Sequence, residues 1–258
     1  MSELLHIVAE QCLKIERARS ESTVKEALKV VAAAFGAMFY LFGIRTGRNV
    51  RPPQQIVISN YPQAWRRYYD DHGASAFDPI INKAFQFEGT FRWDGLHHDD
   101  RQLALRRESV RNGMEFGFSC ADRGTDGSVA ILSFCGNHPI APDLGLWEQV
   151  SASAVLLASV TNKAVTKIIE ARTKAFGEAL SVAERKALQL VAGGATAKQV
   201  AQELGVKPRT VRYYLDRAAD KLGARSRKEA VIKAVAEGIV DPRPFPKAGF
   251  KQGPDVEE

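Results

Sequence analysis

Two stretches at the start of the chain, 2–18 and 21–35, carry apolar residues three and four positions apart, the spacing that lays one stripe of a helix on a core. AMFYLFGI (37–44) is a short aromatic and branched run that stops at the turn-rich TGRNVRPP, and QQIVISN (54–60) follows; both are predicted strands. PQAWRRYYDDH predicts a helix, and Asp78-Pro79 starts another. GTFRW reads as a short strand, DDRQLALRRESVRNG as a helix begun at Asp99 or Asp100, and MEFGFSC with SVAILSFC as a hairpin about RGTDG (123–127). A long apolar helix over 143–172 closes the unit. Strands set among helices, joined by returns too short for regular crossovers, imply an α+β fold: an α-β-α sandwich with a mainly antiparallel sheet. Such a sheet can part its helical cover and leave room for a small ligand.

The pattern changes at TKAFGEA (173–179), where small and polar residues replace the apolar periodicity, and a linker is placed at 173–177. Beyond it lie four short helices, an all-α unit over 178–240. Ser181-Val-Ala-Glu184 is a capping box, in which hydroxyl and carboxylate satisfy free N–H groups at a helix start, and Gly193-Gly194 end that helix. Thr196 caps AKQVAQELG, whose Val200, Ala201 and Leu204 recur at helical spacing. Pro208 suits the first position of a third helix, PRTVRYYLDRAADKLG, because its missing N–H is not needed there. Ser226-Arg-Lys-Glu229 is a second capping box and opens a fourth helix. The Pro/Gly-rich tail, 241–258, is expected to be unpacked and disordered.

Charge separates the two units. Of a net +6 over 258 residues, 178–240 hold twelve Lys or Arg against seven Asp or Glu, while the front is nearly neutral. A compact basic module behind a neutral one suggests a nucleic-acid binder joined to a sensor. In the third helix Val211, Leu215, Ala218 and Leu222 form the buried stripe. That leaves Arg209, Arg212 and Tyr213 outward at its N-terminal end, where guanidinium forks can read guanine edges, and Arg217 and Lys221 further along near phosphates; Lys207 and Thr210 complete the candidate DNA contacts.

Other totals remove alternatives. Cys12, Cys120 and Cys135 are an odd set without metal or disulfide spacing, although Cys120 and Cys135 fall on the two strands of one predicted hairpin; free thiols in a reducing cytoplasm are expected. The N-terminus has charges within its apolar pattern, unlike a secretory signal, and no run of about 18 apolar residues appears, so neither export nor a membrane partner is expected. His97-His98-Asp99-Asp100 is the only metal-like cluster; adjacent residues rarely converge on one ion, and an aspartate there serves better as a helix cap. No cofactor motif and no nucleophile with a base in sight argue for an enzyme.

The segment LSVAERKALQLVAGGATAKQVAQELGVKPRTVRYYLDRAADKLGARSRKEAVIKAVAEGIV resembles the LuxR-type helix-turn-helix over its whole length. Well-kept family positions fall on Glu184, Leu188, Gly194, Ala201, Leu204, Thr210-Val211, Lys221-Leu222 and Arg227, whereas Ala195 stands where a Lys is frequent and Lys207 where a capping Ser is usual. NYPQAWRRYYDDHGASAFDP followed by FRW resembles the autoinducer-binding domain of the quorum-sensing LuxR proteins, placed at 1–172. The resemblance implies an N-acyl-homoserine lactone as ligand. It assigns Trp65 to the lactone carbonyl, Asp78 to the ligand amide N–H and Tyr61 to the acyl carbonyl, with Tyr69 and Trp93 as walls and Ser133 near the third acyl carbon. Gly117 replaces a Pro common in the family's strand, and the stretch from Trp93 to Gly113 is shorter. Implied partners are double-stranded promoter DNA, a second copy of the chain and RNA polymerase. Two alternatives stay open: a LuxR-type regulator that answers to a different small molecule, and a ligand-independent regulator whose front domain binds a protein.

Overall fold

The structure is a computed structural model and describes residues 3–46, 55–96, 99–125 and 127–242. The chain divides into two compact units, Met1–Ala171 and Arg172–Glu258.

In the first unit α1 (Glu3–Glu16) and α2 (Glu21–Ala34) lead into β1 (Phe39–Arg45) and β2 (Gln55–Ser59). There follow α3 (Gln63–Asp71), a 3-10 turn (Ala74–Ala76), α4 (Pro79–Gln86), β3 (Gly89–Arg92) and α5 (Asp100–Arg111). The hairpin β4 (Phe116–Arg123) and β5 (Val129–Gly136) and the long α6 (Leu144–Ala179), as far as Ala171, complete it. The five strands run β2-β1-β5-β4-β3, and every pairing is antiparallel.

Period-two alternation divides the sheet into two faces. Tyr40, Phe42, Phe118, Leu132 and Phe134 point into the larger core with Val24, Leu28 and Val31 of α2 and Ala154, Leu157 and Val165 of α6. Their neighbours Leu41, Gly43, Ser119, Ile131, Ser133 and Cys135 face the opposite way, toward α3, α4 and α5. β5 sits mid-sheet with helices on both sides and is buried nearly throughout, which explains why SVAILSFC reads as an unbroken apolar run. The same parity separates two thiols: Cys120 lies opposite Leu132 and Cys135 opposite Gly117, on different faces, so the two cysteines are not neighbours across the hairpin. All three cysteines are free and buried, and burial pushes the Cys120 thiol up to about 11.

Local chemistry sets the helix starts. Asp99 and Gln102 cap α5 reciprocally, with Gln102 N 2.8 Å from Asp99 Oδ1, so the aspartate of the metal-like cluster serves as a cap. His97 and His98 lie outside the described residues, and among those described no group of His, Cys, Asp and Glu is gathered for a metal. By length and composition α6 would qualify as a membrane span, with a mean hydropathy of 1.2 over one 18-residue window, but half of that window is buried inside the protein. It is the core helix of the sandwich. Asn162, buried within it, donates to Asp122 Oδ2 (2.6 Å) and accepts from Ser128 (3.4 Å), which ties the helix to the β4–β5 hairpin.

The segment 173–177, read above as the link, is the last part of α6, because Gly177 alone in TKAFGEA weakens a helix. In the second unit Arg172 pairs with Glu237 (2.6 Å), and α7 (Val182–Ala192), α8 (Ala197–Leu204), α9 (Pro208–Leu222) and α10 (Arg227–Ala236) enclose a core of Leu188, Val200, Val211, Leu215, Ala218, Leu222, Ala230 and Ala234. Gly205 ends α8 at φ 63°, a left-handed conformation that glycine adopts without a Cβ clash, and this turns the chain into α9. Gln189 bonds both backbone groups of Asp241; the expected unpacked tail lies outside the described residues beyond Pro242.

Candidate functional site

Between the sheet and the α3–α5 cover lies a cavity of about 320 Å³, within the range of small-molecule sites. Tyr61, Trp65, Tyr69, Asp78, Trp93 and Ser133 all line it. Tyr61 just precedes α3, Trp65 and Tyr69 stand one turn apart on it, and their rings lie 5.7 Å apart, so four-residue spacing directs all three at the same space. Leu41, Gly43 and Ile131 form an apolar floor, and Arg45 and Gln55 stand at the strand ends.

Asp78 has two functions at once. Its side chain caps α4, accepting from Ile80 N at 2.8 Å through Oδ1, while Oδ2 accepts from the Tyr69 hydroxyl at 2.8 Å. A carboxylate has about four acceptor positions, and these two bonds set its plane relative to the cavity. Burial, and after it the Asp78 charge, push the Tyr69 hydroxyl well above the ordinary tyrosine value. Burial likewise raises Tyr61, helped by Cys135, whose Sγ lies 3.5 Å from its hydroxyl. Both phenols therefore remain protonated donors.

The two tryptophans differ in their N–H groups. Trp93 Nε1 donates to Ser119 Oγ at 2.8 Å, which removes it from ligand contact, whereas among the described residues Trp65 Nε1 has no partner. A neutral ligand entering here meets aromatic walls, the Asp78 carboxylate as an acceptor and donors at Trp65 and Tyr61. That suits a molecule with an amide N–H and carbonyl oxygens, each of which loses free energy when buried without a partner.

Ser119 escaped the sequence reading, and Gly117 entered it only as a departure from the family's proline, without Trp93 as its partner. The available signal was strand parity: once RGTDG is a hairpin, 117 and 119 share a face with 133 and 135. The phenylalanines divide. Phe85 lines the cavity, Phe91 belongs to a cluster with Ala84, Ala121 and Ile131, and Phe118 lies in the other core.

In the second unit Lys207, Arg209, Arg212, Tyr213 and Arg217 are exposed on the start and outer side of α9, with Thr210 half-buried. Lys207 holds the N-cap position without a side-chain cap bond, since an ammonium cannot accept one. Lys221 differs from these in having a partner within the fold: its Nζ donates to Glu184 Oε2 at 2.6 Å and joins α9 to α7. Asp216 interrupts the basic face and is covered by both guanidinium arms of Arg227, at 2.5 and 2.8 Å.

A family model of the autoinducer binding domain matches residues 20–165, and a model of the bacterial regulatory proteins of the luxR family matches 178–234. The chain belongs to the LuxR family of autoinducer-binding transcriptional regulators. Its relatives include the transcriptional activator protein VanR of Vibrio anguillarum, 26% identical over 94% of this chain and 99% of the relative. Among solved structures it is similar in fold to CepR2 of Burkholderia cenocepacia, named an N-acylhomoserine lactone dependent LuxR family factor (TM-score 0.56, 19% identity, 65% of this chain and 99% of that one). It is also similar to SdiA of Escherichia coli in complex with octanoyl-rac-glycerol (TM-score 0.54, 19% identity, 92% of this chain and 96% of that one). The family is one of transcriptional regulators, not enzymes, with an N-terminal ligand-binding domain and a C-terminal helix-turn-helix domain.

Proposed function

We propose that the chain is a cytoplasmic quorum-sensing regulator that binds an N-acyl-homoserine lactone in the first unit and thereby controls how a homodimer holds promoter DNA. The observation that carries this reading is the convergence of Tyr61, Trp65, Tyr69, Asp78, Trp93 and Ser133 on one cavity. Trp65 donates to the lactone carbonyl, Tyr61 to the acyl carbonyl, and Asp78, oriented by Tyr69, accepts the amide N–H. One short recognition helix touches few bases, so two copies on half-sites a helical turn apart supply specificity. Arg209, Thr210, Arg212 and Tyr213 read base edges, while Lys207 and Arg217 hold phosphates and RNA polymerase is the downstream partner. Three buried free thiols agree with a reducing compartment. A ligand that binds only the folded sensor stabilises it by about 2.7 kcal/mol at a hundredfold excess over Kd, enough to change the amount of folded dimer.

A second reading, a different amphiphile in the same cavity, is favoured by the glycerol ester bound to SdiA. Thermal unfolding of the full-length chain with lactones of several chain lengths and with octanoyl-rac-glycerol separates the two. A rise in Tm with some lactones, lost in Asp78→Ala, is expected. Stabilisation by the glycerol ester alone supports the second reading, and no rise with any ligand in folded protein overturns both.

A further inference from the structure

The cavity changes character along its length. Tyr61 touches Cys135, which pairs with Phe39 at the start of β1, and Tyr61, Trp65 and Tyr69 belong to one cluster, so their polar groups gather at that end. Alternate residues carry the floor from Leu41 through Gly43 to Arg45, which pairs with Gln55 where β1 ends and β2 begins. At a rise of about 3.3 Å per residue, the strand takes Arg45 about 13 Å beyond Leu41. Between them the lining is apolar, with Gly43, Val57 and Ile131. Arg45, Gln55, Val57 and Phe85 line the cavity and are also exposed, so this end is a mouth. Phe85 is held there twice: Arg123 donates to its carbonyl, and the Arg45 guanidinium lies 5.3 Å from the centre of its ring. A ring offers no lone pair, so that contact leaves the N–H donors of the guanidinium to water or a ligand. Among the described residues Arg45 has no carboxylate partner.

We infer that the cavity selects ligands polar at both ends, with an apolar middle and a chain-terminal carboxylate that Arg45 meets at the mouth. This rests on the reading of the cavity as a ligand site and specifies the far end of the ligand, whichever head group occupies the other. A carboxylate matches the planar fork of a guanidinium through two parallel bonds. At an open mouth it keeps part of its water, so little desolvation opposes the pairing. The Phe85 ring holds the guanidinium at the rim, where a chain crossing Gly43 emerges. A methyl end on a chain of the same length gains nothing from the cation.

The test is the Kd of full-length protein for pairs of N-acyl-homoserine lactones with equal numbers of chain carbons, one ending in a methyl and one in a carboxylate, at several chain lengths. Once the chain reaches the mouth, the carboxylate compound is expected to bind about three- to five-fold tighter, the worth of a partly exposed ion pair. That ratio should fall toward one in about 1 M salt, where screening acts within about 3 Å. Arg45→Met keeps an apolar stem against Phe85 and should abolish the preference while binding of the methyl compound stays within about two-fold, because only the charge is lost. Arg45→Lys should retain the preference, since an ammonium carries the same charge. If Arg45 only packs on Phe85, Arg45→Met weakens both compounds alike and leaves the ratio intact, which overturns the inference. A wild-type ratio of one or below at every length, with lactones bound, overturns the inference alone. If folded protein binds no lactone, the lactone reading fails, and the same pair of tails on a glycerol ester then measures the ratio; tails that do not bind in either form overturn this inference with it.

Discussion

Gly117 makes room for Trp93: a Cβ on residue 117 would lie 2.7 Å from Cε3 of the Trp93 ring, and Trp93 N donates to Gly117 O at 3.0 Å. The ring covers the strand where a side chain would otherwise stand. The departure from the family's proline at this position thus has a physical partner, the tryptophan that walls the cavity and engages Ser119.

Gly117→Ala is therefore expected to displace the Trp93 ring and to destabilise the first unit by about 1–3 kcal/mol, as overpacking does. Thermal unfolding with intrinsic fluorescence checks it. An alanine variant with unchanged Tm and an unchanged emission maximum would show that the ring yields freely.

Gly43 lies on the cavity floor, opposite Ile131 and Val57 in the sheet. A Cβ there meets Ile131 Cγ2 at 3.4 Å and Leu41 Cδ2 at 3.5 Å, so the neighbours give little and a longer side chain projects into the cavity. Gly43→Leu should fold yet lose the longest acyl chains first, seen as a shift of the best-stabilising lactone toward shorter chains. An equal loss for every length would place the chain elsewhere.

Glu184 accepts from Ser181 N at 2.7 Å and from Lys221 Nζ at 2.6 Å. Burial pushes its pKa up, but the hydrogen bonds from Lys221 and Ser181 prevail and hold it below the ordinary 4.5. A carboxyl depressed in the folded state stabilises the fold above its unfolded pKa, and the contribution disappears as pH falls through the folded value. Glu184→Gln keeps a capping side chain and loses the charge. The Tm difference between wild type and this variant should be constant above pH 4.5 and narrow at lower pH. A difference independent of pH would mean that the pairing is not what depresses the carboxyl.

Arg209 and Arg217 test the division of the recognition helix. Loss of a bidentate guanidinium contact to guanine costs about 1–3 kcal/mol for the preferred base and relaxes the choice there, so Arg209→Ala should flatten one position of a selected operator. Arg217→Ala should weaken all sequences alike and reduce the slope of log K against log salt by about one. Binding titrations at several salt concentrations distinguish the two patterns; the reverse assignment would move Arg217 to the bases.

Arg92 and Trp93 leave β3 on opposite sides. Arg92 bonds Ile140 O (3.4 Å) and Ala141 O (2.7 Å) and lies 4.0 Å over the Trp147 ring at the start of α6, while Trp93 walls the cavity. Arg92→Ala removes hydrogen bonds to two carbonyls as well as the ring contact and should lower stability by about 2 kcal/mol. A denaturant midpoint unchanged from wild type would show that the loop before α6 holds itself.

What was legible in the sequence depends on how far an interaction reaches along the chain. The caps at Asp99, Ser181 and Thr196 act over three residues, and the helical stripe of α9 repeats within a turn, so neighbouring residues specify them without the rest of the protein. Tyr61, Trp65 and Tyr69 share their spacing for the same reason. Contacts between distant residues had no such signature. Lys221 meets Glu184 across 37 positions, Trp93 meets Ser119 across 26, and the opposite facing of Cys120 and Cys135 depends on strand register. The sequence by itself determined the order of elements, their capping and the chemistry of the residues near the cavity. Only the tertiary structure decided which strand face meets that cavity, which tryptophan keeps its N–H free and which lysine is tied within the fold, because burial on two sides of a sheet and pairing across helices depend on where distant segments come to rest.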